Sequence, residues 1–144
     1  MPCRVEQRGT LMKIGLLEDN PAILDFMTTA LQMAGYRVET HTKSASLLEA
    51  LLAGGDVAAP LPYDIVIVDL LLPGNIPGLA AIEHIHQAIS PKRLPIIVVS
   101  ACSQDELEEV KLKLPHVPVL RKPFKMNALL QLIEQMKASR SVPG

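Results

Sequence analysis

The chain has 144 residues, 49% of them hydrophobic and 20% charged, with a formal net charge of -1. Length and composition describe a globular chain with a single core and exclude a disordered one. The near-neutral charge, with aromatics at 3% and no Trp, argues against a nucleic-acid-binding surface. Cys3 and Cys102 are too few for a disulfide framework and read as free thiols of a reducing compartment.

Residues 1–11 carry Arg4, Glu6, Gln7 and Arg8 without an apolar core, which predicts a flexible arm rather than a signal peptide. No apolar stretch reaches membrane-spanning length, so the expectation is a soluble, cytoplasmic protein. The domain itself is expected over 12–138. Met12 to Leu17 is a short apolar strand, and Asn20-Pro21 after it is a strong helix start. Ile23, Phe26, Met27, Ala30, Leu31 and Ala34 recur at helical spacing until Gly35. Tyr36 to Thr40 alternates as a strand, and a second helix from Ser44 places Leu47, Leu48, Leu51 and Leu52 on one face before Gly54-Gly55.

Ile65 to Val68 is an unbroken β-branched run ending in Asp69, and a Pro/Gly-rich loop from Pro73 to Gly78 follows. Such a run reads as a strand buried on both faces, as in parallel sheets. Leu79, Ile82, Ile85 and Ile89 then mark a helix closed by Ser90-Pro91, and Pro95 to Ser100 is a second buried strand. Ser103 to Glu106 is a capping box opening a helix that Pro115 must end. Val117 to Leu120 is a short strand toward an edge, since Pro118 cannot donate to a ladder. The last helix carries Met126, Leu129, Leu130, Ile133 and Met136 inward, and 139–144 is a tail. Strands alternating with helices predict an α/β fold: a doubly wound parallel sheet with helices on both faces.

In such a sheet all strand C-terminal ends meet at one rim, where open α/β sheets place their ligand chemistry. Glu18 and Asp19, Asp69, Ser100 and Lys122 fall there. Three carboxylates at one rim repel one another, and a hard divalent cation such as Mg²⁺ relieves this; Lys122 then balances the remaining charge. Taken singly, each residue has a plainer reading. Asp69 is a turn cap, Glu18 and Asp19 are helix-dipole partners, and Ser100 and Lys122 are ordinary turn residues. Nucleotide binding is disfavoured, because acidic residues occupy the first strand-helix turn where a dinucleotide fold needs glycines. His41, His84, His86 and His116 show no metal-ligand spacing and read as structural or surface residues.

Together, the acidic pair, the strand ending in Asp69, Ser100-Ala101 and Lys122-Pro123-Phe124 resemble the receiver domain of two-component response regulators, over about Met12 to Lys137. The resemblance implies a flavodoxin-like, five-stranded (βα)5 fold with strand order 2-1-3-4-5. It implies that Asp69 is the phosphoacceptor for a sensor histidine kinase or a histidine phosphotransfer protein. Glu18, Asp19, Asp69 and the Leu71 backbone carbonyl would hold Mg²⁺, Glu18 largely through water. Lys122 would pair with a phosphoryl oxygen, with a cis bond to Pro123, and Ser100 would move to meet the phosphoryl group. The domain would then be no enzyme beyond its own phosphorylation and dephosphorylation, with no direct nucleic-acid or membrane contact and output through protein contact or phosphotransfer. The downstream partner stays unspecified, and a homodimer stays open.

Three features depart from the receiver pattern: Val119 stands where an aromatic switch residue is usual, the Pro73 to Gly78 loop is one residue longer, and the Gly54 to Pro62 loop, before the third strand and away from the site, is also long. Competing expectations are a receiver module cut from a larger hybrid kinase or regulator, and a receiver-like scaffold that is not phosphorylated. A metal-dependent phosphohydrolase would need a second acid close after Asp69, where Leu70, Leu71 and Leu72 stand.

Overall fold

The computed structural model describes residues 12–52, 57, 61–69, 78–100, 104–122 and 124–141. The elements alternate along the chain: β1 (Lys13–Leu17), α1 (Pro21–Met33), β2 (Arg37–His41), α2 (Ser44–Leu51) and β3 (Ile65–Asp69). They continue with α3 (Gly78–Ala88), β4 (Ile96–Ser100), α4 (Gln104–Lys113), β5 (Val119–Arg121) and α5 (Met126–Ser141). The strands form one sheet in the order β2-β1-β3-β4-β5, and every pairing is parallel.

Local chemistry sets the ends of α1. The Asn20 side chain accepts from the amides of Ala22 and Ile23 at 3.0 and 3.1 Å, and Pro21 supplies a helical φ without an orphan N–H. At the other end Gly35 adopts φ 99°, while Tyr36 N–H returns to Leu31 O and Gly35 N–H to Gln32 O. These two bonds make a Schellman motif, which turns the chain directly into β2.

Alternation along the strands divides the core into two layers. Leu17, Val66, Val68, Ile96 and Val98 face α2, α3 and α4, meeting Leu47, Leu51, Ile82, Ile85 and Val110. Ile14, Leu16, Ile65, Ile67, Ile97 and Val99 face α1 and α5, meeting Met27, Leu31, Leu129 and Ile133. All residues of β3 and β4 are buried, as expected for central strands with helices on both faces. Tyr36 closes one end of the second layer: its hydroxyl donates to Glu134 at 2.5 Å, and burial followed by that carboxylate pushes its pKa up to about 12.

Three expectations need correction. Phe26, which recurs with the apolar residues of α1 at helical spacing, is 60% exposed. It lies about 100° round the helix from Met27, and the sheet touches only the side carrying Met27 and Leu31. The last helix runs through Ser141 and takes in the first residues of the expected tail. Nothing between Met136 and Ser141 breaks a helix, and the first such signal is Pro143. The short edge strand is Val119–Arg121 rather than Val117 to Leu120, because Pro118 cannot donate to the ladder and pairing begins just after it. The N-terminal arm 1–11, Gly54-Gly55 and the capping residue Ser103 lie outside the described residues.

Gly15 of β1 sits under the ring of Tyr63, where an added Cβ would lie 2.7 Å from the ring. The ring has little freedom to move aside, since its hydroxyl is bonded to Glu39 and His41 of β2. Gly15→Ala is therefore expected to lower unfolding stability by about 1–3 kcal/mol through overpacking. Urea denaturation checks this, and a neutral result would show that the ring yields.

Candidate functional site

The order in which strands are added reverses between β1 and β3. The chain leaves β1 for β2 on one side, then returns to build β3, β4 and β5 on the other. Crevices at such switch points open beside the strand C-terminal ends. Glu18 follows β1, and Asp69 is the last residue of β3. Both are buried, at 1% and 3% exposure, whereas Asp19 is exposed.

Lys122, directly after β5, reaches across to both buried carboxylates. Its Nζ donates to Asp69 Oδ2 at 2.8 Å and to Glu18 Oε1 at 3.1 Å. The Lys122 backbone amide donates to Ser100 O at 2.7 Å, so the lysine and the end of β4 are held together. Ser100 is fully buried, and its neighbour Val99 pairs with Asp69 across the β3–β4 ladder. The second Glu18 oxygen accepts the Asn20 amide at 3.1 Å, at the turn that starts α1.

One oxygen from each of Glu18, Asp19 and Asp69 lies within 4.8 Å of the others, a donor set able to hold a metal ion. Three carboxylates face one ammonium, so the cluster keeps a formal negative excess. Burial pushes the Glu18 carboxyl above its ordinary range, and the charge of Asp69 adds to this against the Asn20 amide and Lys122. Burial alone would lower the Lys122 ammonium, but its bonds to Asp69 and Glu18 outweigh that and hold it above the usual lysine value. An oxygen-rich, negatively charged, partly open set suits a hard divalent cation rather than a soft one.

The model of the family described as response regulator receiver domain matches residues 14–134. This chain belongs to that family. It is 30% identical over 122 residues to the nisin biosynthesis regulatory protein NisR of Lactococcus lactis, covering 85% of this chain and 48% of the relative. With the transcriptional regulatory protein QseB of Escherichia coli O157:H7 the identity is 33% over 129 residues, covering 88% and 52%. The chain thus spans about half the length of these curated relatives. A CheY-like receiver domain protein from Methanospirillum hungatei shares the fold at TM-score 0.77 and 22% identity, covering 94% of this chain and all of that one.

The receiver domain brings together Glu18, Asp19, Asp69, Ser100 and Lys122, all named in advance from the strand ends. Leu71, Ala101, Cys102, Pro123 and the loop 73–77 lie outside the described residues. Val119 is half-buried on β5 and packs against the core layer beneath α2, α3 and α4. His41 is structural as expected, but its surroundings had no sequence signal. Its Nδ1 meets Ser46 Oγ and its Nε2 meets Tyr63 Oη, each at 2.6 Å. These partners lie on separate elements, so no local spacing announces them.

Replacing Lys122 removes the charge shared by two buried carboxylates. Lys122→Met is expected to destabilise the receiver domain by about 1–3 kcal/mol at pH 7. The deficit should shrink as pH falls. Glu18 has a raised folded-state pKa, so the stability its protonated form contributes is complete below the ordinary value of 4.5 and is lost above it. Without Lys122 that loss deepens only where the carboxylates are ionised. Paired urea denaturation at pH 7 and pH 4.5 checks this, and an equal deficit at both would contradict it.

Proposed function

We propose that this receiver domain is a phosphorylatable switch of a two-component or phosphorelay system, with Asp69 as phosphoacceptor. The observation carrying this reading is the buried Asp69 carboxylate held at 2.8 Å by Lys122, with Glu18 and Asp19 beside it. The phosphodonor is the phosphohistidine of a sensor histidine kinase or of a histidine phosphotransfer protein. An Asp69 oxygen attacks phosphorus, the P–N bond to the donor imidazole breaks, and an acyl phosphate forms. Water later cleaves it to inorganic phosphate and the free carboxylate. The domain performs these two steps on itself and acts on no other substrate.

Phosphoryl transfer depends on alignment and charge neutralisation more than on covalent help. Lys122 supplies one positive charge at the acceptor. Glu18, Asp19 and Asp69 would hold Mg²⁺, with the Leu71 carbonyl as the further donor the resemblance implies, and the ion would supply the remaining charge neutralisation. Glu18, the deeper of the acid pair, holds the Lys122 end of the site in place. Ser100 follows Val99, the ladder partner of Asp69, and its hydroxyl would move to meet the phosphoryl group.

Because the Ser100 carbonyl is tied to the Lys122 amide, a shift of either residue is felt by the other through the backbone. With Val119 in place of an aromatic switch, this backbone link carries the signal toward a protein partner.

The test is incubation with Mg²⁺ and a small phosphoramidate donor, followed by intact-mass analysis. An acid-stable, base-labile phosphoryl adduct is expected, lost in Asp69→Asn and on chelation of the metal. Lys122→Met should form it about 10²–10³-fold more slowly. A folded protein that takes up no label would favour an unphosphorylated scaffold, and turnover of unrelated phosphate esters would favour a hydrolase.

A further inference from the structure

A polar chain, buried at His41 and Tyr63 and exposed at Glu39 and Ser46, runs from β2 toward the backbone of the acidic site. Tyr63, just ahead of β3, lays its ring over Gly15 and sends its hydroxyl to β2. The Tyr63 hydroxyl donates to Glu39, whose ionised carboxylate can only accept, and that bond is the first cause of the lowered Glu39 pKa. Tyr63 oxygen must then accept from His41, which places a proton on His41 Nε2. Nδ1 is left as an acceptor for the Ser46 hydroxyl on the first turn of α2.

The four groups form a one-directional chain, Ser46 to His41 to Tyr63 to Glu39, closed at its outer end by Lys13 at 3.8 Å from Glu39. Each member satisfies the next, so the chain is stiffer than its separate bonds. A neutral imidazole completes it, which agrees with burial lowering the His41 pKa.

His41 is also the last residue of β2, and its backbone carbonyl accepts the Glu18 amide at 3.0 Å. Pinning both ring nitrogens therefore immobilises the group that fixes Glu18. The Asn20 amide, Lys122 and Asp69 anchor Glu18 as well, all through its side chain.

We infer that Tyr63 and Ser46 are positioning residues for the acidic cluster, acting through the clamped His41 on the backbone of Glu18 and so on its affinity for a divalent cation. The second half of this inference rests on the metal-binding reading above; the first half does not. Partners that orient ligating groups commonly contribute 10–100-fold to metal affinity, so about 10-fold is the expected scale here.

Amide hydrogen exchange at Glu18, measured on the metal-free protein, tests the positioning directly. Tyr63→Phe and Ser46→Ala should each speed that exchange by about 10-fold through local opening. Ser46→Thr, which keeps the hydroxyl, should not. Mn²⁺ binding followed by electron paramagnetic resonance should weaken by a similar factor in the same two variants. Ile85→Val, a mild change in the core layer that also holds Tyr63 but outside the chain of bonds, serves as a stability control. Unchanged Glu18 exchange in Tyr63→Phe, or equal acceleration in Ile85→Val, would overturn the proposal. Wild-type protein that binds no divalent ion would overturn the metal reading, and the exchange rates would still decide the positioning.

Discussion

A single ammonium, Lys122 Nζ, lies between Asp69 at 2.8 Å and Glu18 at 3.1 Å, and the architecture of the rim follows from that contact. The partners are 53 and 104 residues away in sequence, so only a sheet that places the ends of β1, β3 and β5 on one rim can assemble them. Burying two carboxylates is costly, and one shared counter-charge does not fully offset it. The residual negative charge, together with exposed Asp19, makes the rim an electrostatic strain that a cation relieves. Such strain persists where a fold serves chemistry as well as stability.

The sheet gives that strain a stiff support. β3 and β4 are buried along their whole lengths, and their side chains are locked between two helical layers. Asp69 and Ser100 end these two strands, so the proposed acceptor and the proposed switch residue stand at the ends of fully buried strands. Lys122 follows the short edge strand β5 and is tied to Ser100 by its backbone. The site therefore joins a rigid pair to a more exposed edge, an arrangement suited to passing a local charge change outward.

Most of the fold was legible because its determinants are local. The β-branched runs before Asp69 and Ser100, the Asn20-Pro21 start and the Gly35 stop each specify an element by short-range chemistry. The rim residues were legible at one remove, since a parallel sheet places every strand C-terminal end together. Phe26 was misplaced because helical spacing identifies a stripe but not its width, which the sheet decides. The clamp on His41 was invisible for a different reason. Ser46, Tyr63 and Glu39 meet it from α2, the segment before β3 and β2, and nothing in their spacing predicts that convergence. Gly15 carried a faint trace of it, as a residue with no side chain where Tyr63 must lie.

If this convergence of charges makes Asp69 the acceptor, the phosphoryl group sits on that carboxylate. Reductive trapping of the phosphorylated protein with borohydride, followed by peptide mass spectrometry, reads the modified position directly. Conversion is expected at residue 69 alone. Conversion at Asp19 or Glu18 with Asp69 untouched would contradict it.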